Sequence, residues 1–190
     1  GIYIFTWEKL RKYLIEDEND KDSENDFGKN IIPKMLADGQ RMYAYQFDGY
    51  WKDVGTISSL WEANMDVLKG DEFNLDDDKW KIYARNNAEP PHYVAPTGNV
   101  INCLVSEGTV INGTVKNSII SNSVKIGKDA YIEESVIMPG AVIEDGADIR
   151  YSIVGWNATV GKNSMVGETL DHCNPGEWKI SVIAPNYTLA

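Results

Sequence analysis

Residues 118–134 read SIISNSVKIGKDAYIEE, residues 135–151 read SVIMPGAVIEDGADIRY, and residues 152–168 read SIVGWNATVGKNSMVGE. The three segments lie over one another without a gap at an offset of 17 residues. Within each, large aliphatics recur six apart: Ile120, Ile126 and Ile132; Ile137, Ile143 and Ile149; Val154, Val160 and Val166. Four residues after each of the first two stand mostly small residues: Val124 and Ala130, Ala141 and Ala147, Ala158 and Ser164. Ordinary antiparallel strands joined by turns do not account for three collinear repeats. A six-residue beat in triplets describes three short strands per coil, stacked as a prism with the aliphatics inside. The small residues fit the tight corners, and Gly and Asn supply turns that need positive φ. One coil cannot bury its own face, so adjacent coils must bury each other. The spacing predicts a parallel β-helix over residues 99–190, with NCLVSEGTVINGTVK (102–116) as a less regular early coil and ISVIAPNYTL (180–189) as a last partial one.

Upstream the period is different. Residues 1–69 carry mixed α/β signals. GIYIF (1–5) is a short β-rich run, and TWEKLRKYLIED (6–17) follows with helical spacing at Trp7, Leu10 and Leu14. After an acidic stretch, DFGKNIIPKMLADGQ (26–40) offers Asp26 as a helix cap, an apolar face at Ile31, Ile32, Met35 and Leu36, and Gly39 as a stop. RMYAYQF (41–47) alternates like a strand. Thr56 is placed to cap a further helix whose Ile57, Leu60, Trp61, Val67 and Leu68 share a side. This is a piece of an α/β layer fold too short to close a sheet by itself. Residues 70–98 hold the Pro and Gly of a linker, with a strand-like WKIYA (80–84) inside it.

Composition narrows the function. The chain has 190 residues, 43% of them hydrophobic and 25% charged, with a mean hydropathy of −0.36. No apolar run approaches the roughly 20 residues a bilayer demands. A formal charge of −11 disfavours binding that relies on a basic patch against nucleic acid or anionic lipid. Cys103 and Cys173 stand far apart and form no disulfide framework, and with no signal peptide visible a reducing cytoplasm is expected. His172 beside Cys173 lacks enough partners for a zinc site.

The octet GYWKDVGT (49–56) places Asp53 between an aromatic pair and a glycine, just ahead of a helix. Asp and Gly are at home in such a turn for backbone reasons alone. The other reading makes Asp53 a metal ligand over a substrate pocket. Three ordered motifs bear on the choice: DFGKNIIP (26–33), the octet continued into W.AN.D.L (61–68), and WKIYARNNAEPP.YV (80–94) ahead of the β-helix. Together they resemble the bacterial glucose-1-phosphate adenylyltransferases (ADP-glucose pyrophosphorylases). The hexapeptide pattern is similar to the left-handed β-helix of acyltransferases and of some nucleotidyltransferases. The Y-x-x-D-V-G-T element alone is shared by several sugar-nucleotide transferases, which leaves another sugar-phosphate nucleotidyltransferase as an alternative.

The resemblance implies a nucleotidyltransferase (Rossmann-like) domain represented by residues 1–69, a linker over 70–98 and a left-handed β-helix over 99–190. It implies adenylyl transfer from ATP to glucose 1-phosphate, giving ADP-glucose and pyrophosphate for glycogen synthesis. It further implies a cytoplasmic homo-oligomer (a tetramer) or a hetero-oligomer with a related regulatory subunit. Retention of the aspartate favours the catalytic type. The family's glycine-rich nucleotide loop, upstream metal aspartate and Glu-Lys-Pro segment are expected N-terminal to Gly1, and no Gly-x-Gly occurs in this sequence. The chain by itself is therefore expected to be inactive.

By the same resemblance Asp53 is a Mg²⁺ ligand. Tyr3, Asp26, Phe27 and Trp51 match residues at the glucose 1-phosphate. Tyr3 and Phe27 also suit a plain core, and Asp26 a plain helix cap. Lys81 and Arg85 stand near the domain junction, where the resemblance implies that an anionic effector acts; a solvated linker is the plainer reading of both. An acyltransferase of the hexapeptide type would call for a histidine base near a coil junction beside a basic pocket. His92 and His172 have no basic cluster beside them in the sequence. A purely structural oligomerisation module is the third reading.

Overall fold

The computed structural model describes residues 1–70, 75, 77–83, 88–168 and 179–190. Where the six-residue beat is regular, the chain winds into a parallel β-helix with three faces. One face stacks β1 (Tyr93–Val94), β4 (Val110–Ile111), β7 (Lys125–Ile126), β10 (Val142–Ile143), β13 (Thr159–Val160) and β16 (Thr188–Leu189). A second stacks β2 (Asn99–Ile101), β5 (Thr114–Lys116), β8 (Tyr131–Glu133), β11 (Asp148–Arg150) and β14 (Met165–Val166). The third stacks β3 (Leu104–Val105), β6 (Ile119–Ile120), β9 (Val136–Ile137), β12 (Ser152–Val154) and β15 (Ser181–Ile183).

The register follows the sequence repeat. Ile126, Ile143 and Val160 are successive partners, as are Ile132, Ile149 and Val166, and Ile120, Ile137 and Val154. All nine are buried in one core, with Val124, Ala130, Ala141, Ala147 and Ala158 among them. The coil that begins at β2 is tighter, pairing Val105 with Ile120 and Ile111 with Ile126. The last is longer, pairing Val154 with Ile183 and Val160 with Leu189. Its extra length falls between Val166 and Ser181, a span that includes residues 169–178, outside those described. The first paired strand is β1, six residues ahead of where the period becomes legible.

Three ladders of residues with positive φ turn the corners. Asn102, Asn117, Glu134 and Tyr151 hold equivalent places on one corner with φ between 43° and 50°. The sequence leads one to expect Asn or Gly there. Glu134 and Tyr151 instead hold a conformation in which the Cβ is crowded, at a cost of about 1–2 kcal/mol each. The serine that follows each of the last three secures the turn. Ser118 Oγ donates to the Lys116 carbonyl at 2.6 Å and accepts the Ser135 amide at 3.1 Å. Ser135 and Ser152 repeat the donation one and two coils on, and Ser135 Oγ accepts the Ser152 amide at 3.1 Å. All three serines are buried, so the ladder satisfies polar groups that would otherwise carry a desolvation penalty.

Helix α3 (Ile57–Lys69) follows the octet. Thr56 caps it, accepting the Ser59 amide at 3.2 Å, while Ser59 Oγ accepts the Thr56 amide at 3.1 Å. It ends at Gly70 in the left-handed conformation. Its buried Trp61 and Met65 pack on Val136 and Ile153, which point outward from β9 and β12. Outward positions of a solenoid strand are normally polar, and the apolar pair here is what the helix covers. Ile57, placed on the apolar side by its spacing, is 54% exposed, and Met65 takes the buried place instead.

By packing, the chain separates into Gly1–Gly49 and Tyr50–Ala190, so α3 goes with the solenoid. Within the first unit stand α1 (Trp7–Glu18), a π turn (Phe27–Ile31) and α2 (Ile32–Ala37). They share a small core of Tyr13, Ile31 and Met35, joined by Phe5, Leu10, Leu14, Phe27 and Met42. Trp7, read as part of the apolar face, is 61% exposed, whereas Tyr13 is buried and donates its hydroxyl to Asp38 at 2.9 Å. GIYIF and RMYAYQF are not strands. Alternation favours a strand only where a second backbone completes the ladder, and no described residue pairs with either. The described part of WKIYA likewise forms no strand, and its Ala84 lies outside the described residues.

Candidate functional site

The octet 49–56 has no regular secondary structure; exposure alternates over residues 49–53, and residues 54–56 are exposed. Tyr50 and Lys52 are half-buried, while Trp51 and Asp53 are exposed. Asp53 Oδ1 accepts the Gly55 amide at 3.0 Å, a short turn of the kind aspartate favours. Its Oδ2 has no hydrogen-bond partner among the described residues. Trp51 is 58% exposed and so is not a core residue of this unit.

Behind the octet lies a charged cluster that sequence reasoning missed. Asp66, on the buried side of α3, receives Lys52 Nζ at 2.9 Å and the Tyr50 hydroxyl at 3.2 Å on Oδ2, and Lys69 Nζ at 2.8 Å on Oδ1. Lys52 also reaches Glu62 at 3.0 Å. The hydrogen bond from Lys69, followed by that from Lys52, pushes the Asp66 carboxyl down to about 2 against the opposing effect of burial. The bonds to Asp66 and then Glu62 hold the Lys52 ammonium above the usual lysine range. A signal was present: Asp66 is the aspartate of W.AN.D.L, a lone carboxylate among the apolar positions of an amphipathic helix.

In the first unit, Tyr3 stacks on Phe27 with ring centroids 5.7 Å apart and 14° between planes. Phe5 lies 6.0 Å from Tyr3 and 5.8 Å from Phe27. Tyr3 is 48% exposed and also lines a cavity of about 490 Å³ with Lys9, Arg41 and Tyr43. Phe27 packs at the edge of the small core. Asp26 caps the π turn, its Oδ1 accepting the Lys29 amide at 2.8 Å, while its own amide donates to Asn30 Oδ1 at 3.2 Å. The structure thus brings Tyr3 and Phe27 into contact, with Asp26 beside Phe27 in the chain. Trp51 and Asp53 belong to the other unit.

Among the described residues no group of three or more His, Cys, Asp or Glu is placed to hold a metal by itself. Asp53 still offers the hard oxygen donor that Mg²⁺ prefers, and that ion takes one or two protein carboxylates while substrate phosphates supply other ligands. Lys81 is exposed and lies 3.7 Å from Asp78. His92 is exposed just ahead of β1. Arg85, His172 and Cys173 lie outside the described residues. No helix of the described residues is long and apolar enough to cross a membrane.

Comparison with known proteins agrees with both halves. The Nucleotidyl transferase family model matches residues 1–70, and the model for the GlmU-like, C-terminal hexapeptide matches residues 92–179. A glucose-1-phosphate adenylyltransferase of Desulforamulus reducens is 46% identical over 98% of this chain and 47% of its own length. That of Clostridium kluyveri is 54% identical over 88% of this chain and 44% of its own length, and that of Acetivibrio thermocellus 48% identical over 88% and 39%. The chain belongs to the glucose-1-phosphate adenylyltransferase family. It spans less than half the length of these curated relatives.

Proposed function

We propose that the protein carrying this chain transfers an adenylyl group from ATP to glucose 1-phosphate, releasing pyrophosphate and forming ADP-glucose for glycogen synthesis. The observation that carries this is the identity to relatives so named across 72–98% of the chain. The octet bearing Asp53 adds the matching chemistry. In this reaction the sugar phosphate is itself the nucleophile, attacking the α-phosphorus of ATP, so no serine, cysteine or histidine is asked of the protein. Its task is alignment and charge neutralisation. Tyr3, Asp26, Phe27 and Trp51 are assigned to glucose 1-phosphate. The aromatic faces suit a hydroxylated ring, and Asp26 retains a carboxylate oxygen beyond the one it uses as a cap. Asp53 is assigned to Mg²⁺, which when bound neutralises phosphate charge. The working form is a cytoplasmic oligomer, a homotetramer or a hetero-oligomer with a related regulatory subunit, to which the solenoid contributes contacts.

The test is an assay of the full-length enzyme with ATP, Mg²⁺ and glucose 1-phosphate, beside other nucleotides and sugar phosphates. ADP-glucose formation is expected to exceed formation of any other nucleotide sugar. A different preferred sugar phosphate would overturn the assignment while leaving the fold untouched.

A further inference from the structure

A carboxylate that serves a transferring phosphate must be held to within a fraction of an ångström, yet the octet bearing Asp53 lies outside any helix or strand. Its C-terminal side is secured by the Gly55 amide on Asp53 and by the Thr56 cap. Its N-terminal side is secured against α3, with Asp66 at the centre of the contact. Tyr50 and Lys52 both close on Oδ2 of Asp66, at 3.2 and 2.9 Å, and Glu62, one turn earlier on α3, takes Lys52 from a second direction at 3.0 Å. The Asp66 side chain is only 12% exposed, and Lys69 occupies its other oxygen. This is no loose surface pair of the kind that contributes little.

The spacing has a consequence for the residues between. In an extended stretch, alternate side chains point to opposite sides. Tying residues 50 and 52 down to the helix therefore turns 51 and 53 away from it, which is the alternation of exposure observed. We propose that Asp66 is a positioning residue: by holding Tyr50 and Lys52 it sets the phase of the octet and so presents Trp51 and Asp53 to the substrates. This rests on the adenylyl-transfer reading for its consequences in catalysis, but not for the clasp itself.

Two variants in the full-length enzyme test it. Asp66→Asn keeps the shape and removes the charge. Lys52→Met cuts the clasp from the other side while leaving the Asp66–Lys69 pair, and carries the test should Asp66→Asn fail to fold. The first readout is amide hydrogen exchange. Peptides covering 49–56 are expected to exchange about tenfold faster or more in either variant, as for a segment released to local opening, while peptides covering 135–151 stay unchanged. The second readout is kinetic: kcat lower by about tenfold and a raised Mg²⁺ requirement, with the KM for ATP little changed, as expected of misplacement and not of lost binding. Unchanged exchange in 49–56 would overturn the clasp. Faster exchange with unaltered kcat and Mg²⁺ dependence, in an enzyme that Asp53→Asn inactivates, would overturn the positioning role. Normal turnover by Asp53→Asn would instead end the metal assignment, and the exchange result would still decide the clasp.

Discussion

Trp61 donates its indole N–H to the main-chain carbonyl of Glu134 at 2.7 Å, and its ring lies 5.7 Å from that of Tyr151. Glu134 and Tyr151 are successive rungs of the corner where the solenoid backbone turns through the left-handed region. The helix that follows the octet is thus pinned to a corner of the β-helix that non-glycine residues turn with positive φ. The solenoid acts on the candidate site through this contact: it fixes α3, α3 carries Asp66, and Asp66 holds the octet.

Two substitutions separate the parts of that anchor. Trp61→Phe keeps most of the ring but deprives the Glu134 carbonyl of its indole donor, at an expected cost of about 1–2 kcal/mol. Trp61→Ala also removes the packing on Val136 and Ile153, and about 3–5 kcal/mol is expected. Urea denaturation of both variants measures the difference. Equal losses would show that ring packing contributes nothing beyond the hydrogen bond.

The inward register of the coils has a similar check. Ile143 is buried between Ile126 and Val160, with coils above and below. Ile143→Asp places an unpaired carboxylate in that dry stack and is expected to unfold or split the solenoid, at several kcal/mol. Its neighbour Glu144 points outward and accepts the Lys162 amide at 3.1 Å. Glu144→Ala is expected to cost about half a kcal/mol, the scale of an exposed surface change. Comparable effects from the two would mean that the faces are exchanged.

The solenoid was legible because every coil states the same six-residue rule, so errors at one coil are corrected by the next. Ile126, Ile143 and Val160 share a register in the structure because they share a place in the repeat. Residues 1–49 have no such redundancy. The alternation of GIYIF and RMYAYQF is a local property, whereas a strand is a relation between two backbones that neither segment can state. Caps were legible for the opposite reason. Asp26 and Thr56 act within three residues of themselves, and both do what their neighbours suggest. The clasp was missed because Lys52 and Asp66 stand 14 positions apart and meet only once α3 is formed.

The clasp leaves a mark on acid stability. The Asp66 carboxyl, pushed down to about 2 in the folded chain, returns to the usual aspartate range on unfolding. A lowered folded value means stabilisation that is complete above about pH 4 and is lost as pH falls towards about 2. The stability gap between the unaltered protein and Asp66→Asn is therefore expected to stay constant from neutrality to about pH 4, then close as pH falls further. Lys52, raised by the same contact, keeps its contribution until pH climbs past the usual lysine range, so nothing changes near neutrality. Denaturant midpoints of both proteins across pH 2–7 make the comparison. A gap that widens on acidification would show that the Asp66 contacts are not the stabilising ones.

Asp53 admits two roles that a pair of substitutions distinguishes. As a turn residue it uses Oδ1 to accept the Gly55 amide. As a Mg²⁺ ligand it uses its charge. Asp53→Asn keeps an acceptor for Gly55 and removes the charge; Asp53→Ala removes both. If the metal role holds, Asp53→Asn in the full-length enzyme is expected to lower kcat by about a hundredfold or more, the scale seen when a preorganised charge stabiliser is lost. The Mg²⁺ requirement should rise with it, since neutralisation counts most in the transition state. The melting temperature of that variant should hold or rise slightly, because the turn survives and an exposed carboxylate awaiting a cation gains little from its surroundings. If the turn alone matters, Asp53→Asn should turn over almost normally, and only Asp53→Ala should melt earlier, by about 1 kcal/mol of lost hydrogen bonding. Kinetics and melting curves on both variants decide between the roles, and normal turnover by Asp53→Asn would end the metal assignment.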